Sequence, residues 1–264
     1  MTLRSRFFAS ACALAFTALT IETVHAQPMT GFSGLLQGDY ANINLDHGGP
    51  AANVYGVEGS GMFPLGWSGL NFQADASYHD YVLTGPNVNN WNFGGEVFWR
   101  APEGLVGGTV GYDSLDHPTA HITHYGGFGE YYIDRFTLAV KGGGFSGTAG
   151  ADGYYVGGQA LGYLTPDFAL DGNIDYYNFN HNAFNPNFHE TDYTAEGEWL
   201  VSENMPVSVF GGYTYSEYPG ANSNTFFVGL RFYANPAGSS PLVDRQRNGA
   251  LEWSRSFSPT GIAF

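Results

Sequence analysis

The side chains able to do chemistry in this chain are carboxylates placed at alternate positions of otherwise apolar stretches. In 168–177, Asp171, Asn173 and Asp175 oppose Phe168, Leu170, Gly172, Ile174 and Tyr176. In 191–201, Asp192, Glu196 and Glu198 oppose Tyr193, Ala195, Gly197, Trp199 and Val201. Glu58, Asp75, Glu96 and Glu130 sit the same way in 53–63, 70–81, 90–100 and 122–134, and Lys141 and Arg231 are the basic members of the set. Successive side chains of a strand point to opposite faces, so Glu58, Asp75, Glu96, Glu130, Lys141, Asp171, Asp175, Glu196, Glu198 and Arg231 would share the polar face of a sheet. A wet surface of that composition attracts cations. Lys141 and Arg231 could equally neutralise part of it inside a closed interior, and both readings stand.

Other chemistries are weakly supported. His79 and Asp80 are neighbours in a strand and so point apart, which breaks a His–Asp couple. His124 near His121, and Asn182 near His181, lack a serine to complete a Ser–His–Asn group. His117, His121 and His124 with Asp113 and Asp116 gather around one loop, and His181, His189 and Glu190 around another. Their spacing does not force convergence on a metal. No phosphate-loop, nucleotide or zinc motif is present. Neither an enzyme nor a cofactor is expected.

Strands must position the carboxylates. Glycine numbers 38 of 264 residues and aromatics make up 17%, a composition that disfavours helices. The sequence predicts twelve strands of about ten residues each, at 36–45, 53–63, 70–81, 90–100, 105–115, 122–134, 136–145, 154–164, 168–177, 191–201, 207–215 and 224–233. The last, N-T-F-F-V-G-L-R-F-Y, alternates cleanly: Phe226, Val228, Leu230 and Phe232 on one face, Arg231 on the other. Tight turns are expected at 64–69, 101–104, 134–135, 165–167 and 202–206. Longer loops are expected at 46–52, 84–89, 116–121, 146–153, 178–190 and 216–223. Because the face opposite the charges is greasy, both faces cannot meet water, and a soluble sandwich fits poorly. Closed barrels are the sheets that survive in lipid without an unsatisfied edge. The expected fold is all-β, a closed antiparallel transmembrane barrel of about twelve strands, with eight or ten as alternatives. Outward aromatics cluster in two groups, Phe63, Trp99, Trp199 and Phe232 near the tight turns and Tyr55, Trp91, Tyr125 and Tyr154 near the loops. Two belts at the two headgroup layers would look like this.

The N-terminus reads as a secretory signal peptide over 1–26, with Arg4 and Arg6 before an apolar run and Val24-His25-Ala26 at the expected cleavage site. Without it the chain carries 7 Lys+Arg, 23 Asp+Glu and no cysteine, since Cys12 is the sole one. That charge argues against nucleic acid.

With these features, the signal peptide, the 168–176 strand F-A-L-D-G-N-I-D-Y and the 226–233 strand F-F-V-G-L-R-F-Y, the chain resembles the porin-like outer-membrane β-barrel proteins of Gram-negative bacteria over 27–233. The resemblance implies a place in the cell outer membrane, with its lipids, the barrel assembly machinery and small solutes as partners. It implies passive diffusion of small hydrophilic solutes, to which the acidic lining adds a preference for cations. The alternative is a non-conducting structural or adhesive barrel acting through its surface loops. In that family the aromatic-ended strand usually ends the chain, whereas here 31 residues follow Tyr233. Residues 234–241 read as a linker, and 234–264 as a periplasmic C-terminal tail carrying Arg245, Arg247 and Arg255. It is either a free extension or a segment whose arginines dock at the acidic mouth of the barrel.

Overall fold

The computed structural model describes residues 31–46, 51–66, 68–83, 87–116, 119–148, 151–181, 188–234 and 240–252. The expected signal peptide, His117, Asn182, the side chain of His181 and Arg255 lie outside them. Twelve strands form among the described residues: β1 (Ser33–Leu45), β2 (Ala52–Pro64), β3 (Leu70–Val82), β4 (Val88–Ala101), β5 (Gly104–Asp116), β6 (Thr119–Ile133), β7 (Phe136–Gly147), β8 (Asp152–Thr165), β9 (Phe168–His181), β10 (His189–Ser202), β11 (Met205–Tyr218) and β12 (Ala221–Ala234). Each pairs with its chain neighbours, and β12 returns to β1 antiparallel, with Phe232 opposite Leu36 and Ser223 opposite Leu45. The sheet is therefore a closed barrel of twelve strands, without the edge that an open sheet would leave.

One end, here the base, carries the terminal end of β12 and the five connections β2–β3, β4–β5, β6–β7, β8–β9 and β10–β11. The other end is the rim. Strands run 12 to 15 residues, longer than the ten expected, because pairing continues into polar rim segments whose composition reads as loop. Two expected loops are thereby corrected. Residues 116–121 are mostly the end of β5 and the start of β6, and 216–223 is a hairpin turning at Pro219-Gly220. Gly220 takes φ +88°, a conformation only glycine enters freely. At the base, Asp134 makes the equivalent turn with φ +52°, where a short polar side chain is tolerated.

Alternation decides which way each side chain points. The outward set includes Leu36, Val57, Phe93, Val110, Leu138, Val156, Ile174, Val209 and Phe226, all exposed. Phe63, Trp99, Tyr131, Trp199 and Phe232 lie outward near the base, and Tyr55, Trp91, Tyr125 and Tyr154 outward nearer the rim. A continuous apolar girdle of this extent is stable only against lipid.

The interior has three levels. Near the rim, Ala41, Ile43, Val54, Tyr81, Val88 and Leu115 form one apolar cluster, and Ile122, Phe145, Tyr155, Tyr177 and Phe179 a second. The middle is polar. At the base, Leu35, Met62, Phe98, Leu105, Tyr132, Leu200 and Tyr233 pack against Leu242, Val243, Ala250 and Leu251 from beyond the last strand. The residues 240–252 thus sit inside the barrel. They include one helix, α1 (Leu242–Asn248).

Candidate functional site: an acidic chamber above the tail

The middle level encloses a cavity of about 350 Å³. Among the described residues that line it are eleven carboxylates against two arginines, Arg231 and Arg247. Seven of the acidic residues singled out from sequence line it: Glu58, Asp75, Glu130, Asp171, Asp175, Glu196 and Glu198. Arg231 lines it as well. Glu96 and Lys141 also point inward but are buried in the wall, at 2% and 7% exposure. Lys141 Nζ holds Asp175 Oδ1 at 3.1 Å. Asp39, Asp113, Asp192 and Glu252 complete the lining; Asp192 was set on the polar face of its strand but left out of the expected lining, and the other three were not placed there. The parity of Tyr112 and Tyr193 already places Asp113 and Asp192 inward. Asp39 follows once the register of β1 is known, and nothing in the sequence pattern indicates Glu252.

Arg231 is the hub of the lower wall. Register places it opposite Gln37 on β1 and Ser208 on β11. Its Nη1 reaches Glu196 Oε1 at 2.8 Å and Glu198 Oε2 at 2.5 Å, its Nε donates to Gln37 Oε1 at 2.8 Å, and its Nη2 meets Glu252. Its Cζ lies 3.9 Å from the Phe210 ring centre. That stacking needs Gly229: a Cβ there would strike the Phe210 ring and come within 2.6 Å of the Gly38 carbonyl. Glu198 is further held by the Ser208 hydroxyl at 2.5 Å and the Tyr233 hydroxyl at 2.6 Å. A buried ion cluster so fully hydrogen-bonded is a fixed part of the wall.

The adjoining wall is looser. Asp39, Glu58 and His79 come from three successive strands, with Asp39 and His79 both in register with Gly56. Their ligand atoms lie within 4.8 Å of one another, the one such His–carboxylate set among the described residues. His79 Nε2 faces Glu58 Oε1 at 3.3 Å. These residues could hold a divalent cation, and equally form an ion pair once His79 is protonated. Of the histidine group considered at 113–124, the described members His121 and His124 are not brought together. His124 points inward to Asp113 at 3.0 Å, Asp113 also accepts from Asn92 at 2.7 Å, and His121 stacks outside on Tyr112.

The floor of the chamber is the tail. Arg100, at the base end of β4, donates to the carbonyls of Asn248 and Gly249, at 2.9 Å each. Gln73 clamps Leu251 twice, accepting from its N–H at 2.7 Å and donating to its carbonyl at 2.9 Å. Arg247 donates to the Phe136 carbonyl at 2.8 Å and lies over the Tyr132 and Tyr163 rings. Arg245 donates to the Glu203 carbonyl at 2.8 Å in the β10–β11 turn, and the Leu242 N–H to Pro166 at 2.8 Å in the β8–β9 turn. Burial pushes the Asp244 carboxyl of α1 up from its ordinary value, with Arg247 opposing. Arg245 and Arg247 were singled out in the sequence as candidates to dock; that main-chain carbonyls would receive them was not legible there.

No protein-family model matches the sequence, and no curated protein matches it. Solved structures do. An outer membrane channel from Pseudomonas putida F1 aligns over 82% of this chain and 99% of its own, with 9% identity and a TM-score of 0.60. The KdgM porin in complex with disordered oligogalacturonate aligns over 74% of this chain and 98% of its own, with 9% identity and a TM-score of 0.52. At that identity the likeness is one of fold, and the fold that this chain shares with them is the closed antiparallel barrel of porin-like outer-membrane channels.

Proposed function

We propose that this protein is an outer-membrane barrel that admits small hydrophilic solutes and favours cations. The observation that carries the reading is the 350 Å³ chamber, with eleven carboxylates and two arginines among its described lining residues, inside a barrel whose outer face is apolar. Carboxylates around a wet path raise the local cation concentration and exclude anions. The fold shared with two channels supports passage in general. The oligogalacturonate named with the KdgM porin is a polyanion, and the sign of this chamber argues against such a cargo here.

The second reading is a barrel that does not conduct and serves the envelope as structure. The tail seated in the base favours it. Reconstitution in planar bilayers separates the two. The channel reading expects discrete conductance steps and, under a salt gradient, a reversal potential of cation-selective sign. A folded barrel that stays silent with its tail removed would sink it.

A further inference from the structure

We propose that residues 240–252 are a resident plug that closes the base of the barrel at rest and can leave it without dismantling the wall. This rests on the channel reading above. The plug is anchored around the circumference, to Gln73 on β3, Arg100 on β4, Phe136 on β7, and the β8–β9 and β10–β11 turns. A segment tied at so many points spans the opening instead of lining one side of it. Its apolar members, Leu242, Val243, Ala250 and Leu251, are buried against the base, and Gln246, Arg247, Ala250, Leu251 and Glu252 border the chamber.

Displacement is built into the chemistry of the anchors. The hydrogen bonds that the plug receives from the wall come from Arg100, whose guanidinium hydrates readily, and Gln73, whose amide does the same. On the plug's side they end largely on main-chain carbonyls of Asn248, Gly249 and Leu251, which water satisfies once the segment leaves. The strongest charge contact is Glu252 to Arg231. Its loss still leaves Arg231 with Glu196, Glu198 and Gln37, so the wall keeps a compensated cation. Arg231, the plug's main ionic contact, thus keeps partners on the wall, while Arg100 exchanges the plug's carbonyls for water.

Three chains beginning at Gln27 test this in planar bilayers: the full chain, a chain ending at Ala234, and the full chain with Arg100→Ala and Glu252→Arg. The last sets like charges against each other at Arg231 and removes the carbonyl clamp. It also serves if the shortened chain fails to assemble. Accessibility is read separately by introducing Leu251→Cys, buried at 3% exposure, into the full and released chains. A membrane-impermeant maleimide is the probe, and Arg135→Cys in the exposed β6–β7 turn is the reference. No other cysteine is present after residue 12. The plug predicts a small conductance in the full chain and a severalfold larger one in the other two. It also predicts slow labelling of Leu251→Cys that becomes fast in the released chain. Equal conductance in all three conducting chains, or labelling of Leu251→Cys as fast as Arg135→Cys in the full chain, overturns it. If all three are silent, the channel reading falls. The plug then stands if Leu251→Cys is protected in the full chain and freed in the released one, and falls if the two label alike.

Discussion

Arg231, on the strand that closes the barrel, is paired with Glu252 from the segment that fills it. The same guanidinium serves Glu196 and Glu198 on β10. One cation therefore compensates three carboxylates, two from the wall and one from the contents. The wall pair is the part that folding depends on, because Glu198 and Arg231 are each 3% exposed.

Arg231→Gln should therefore destabilise the barrel by about 3–5 kcal/mol, the usual result of leaving buried carboxylates without their cation. Urea unfolding from lipid vesicles reads the loss. Adding Glu196→Gln and Glu198→Gln to the same chain should restore most of it. A triple variant as unstable as the single one would show that packing on Phe210, and not charge, dominates.

The outward face makes a different prediction. Val228 lies in the middle of β12, exposed at 51% on the apolar girdle. In water Val228→Arg would be close to neutral, whereas at the midplane of a bilayer an arginine costs about 2–4 kcal/mol. The same unfolding titration in vesicles decides between the two. A change under about 0.5 kcal/mol, typical of a solvated surface site, would argue against lipid contact there.

The two faces of the barrel were legible because they follow a period of two. Phe226, Val228, Leu230 and Phe232 against Arg231 is a local pattern that needs no knowledge of the partner strand. The rim was less legible. Around Pro219-Gly220 the flanking Ser216, Glu217 and Asn222 read as loop by composition, yet they pair as strand because the neighbouring backbone offers the ladder. The chamber's acidic character was visible, since most of its carboxylates sit on predicted strands. Its floor was not. Gln73 and Leu251 are 178 positions apart, and no periodicity connects them. Glu252 belongs to a segment with no alternation at all, so its place beside Arg231 came only with the structure.

Gly229 offers a test of how tightly the hub is packed. A methyl group there collides with the Phe210 ring and the Gly38 carbonyl. Gly229→Ala should push Phe210 away from Arg231 and cost about 1–3 kcal/mol, the range for overpacking a filled interior. Adding Phe210→Leu should recover part of that loss by making room. If Gly229→Ala is neutral by itself, the ring has space to move, and the stacking contributes little.

Selectivity should depend on position more than on charge count. Glu96 points inward but lies buried in the wall, outside the chamber lining, whereas Asp39 and Glu196 line the chamber directly. At the dielectric of water, removing one charge about 6 Å from a passing cation changes its energy by about 0.7 kcal/mol, or roughly threefold in occupancy. Asp39→Asn and Glu196→Gln should each shift the reversal potential toward zero in a salt gradient, and more strongly at low ionic strength, where screening is weak. Glu96→Gln should shift it less, because its charge reaches the path only through protein. Of the two lining residues, Asp39→Asn is the cleaner variant, since Glu196→Gln also disturbs Arg231. Bilayer measurements that rank Glu96→Gln above Asp39→Asn would mean that ions take a route other than the acidic chamber.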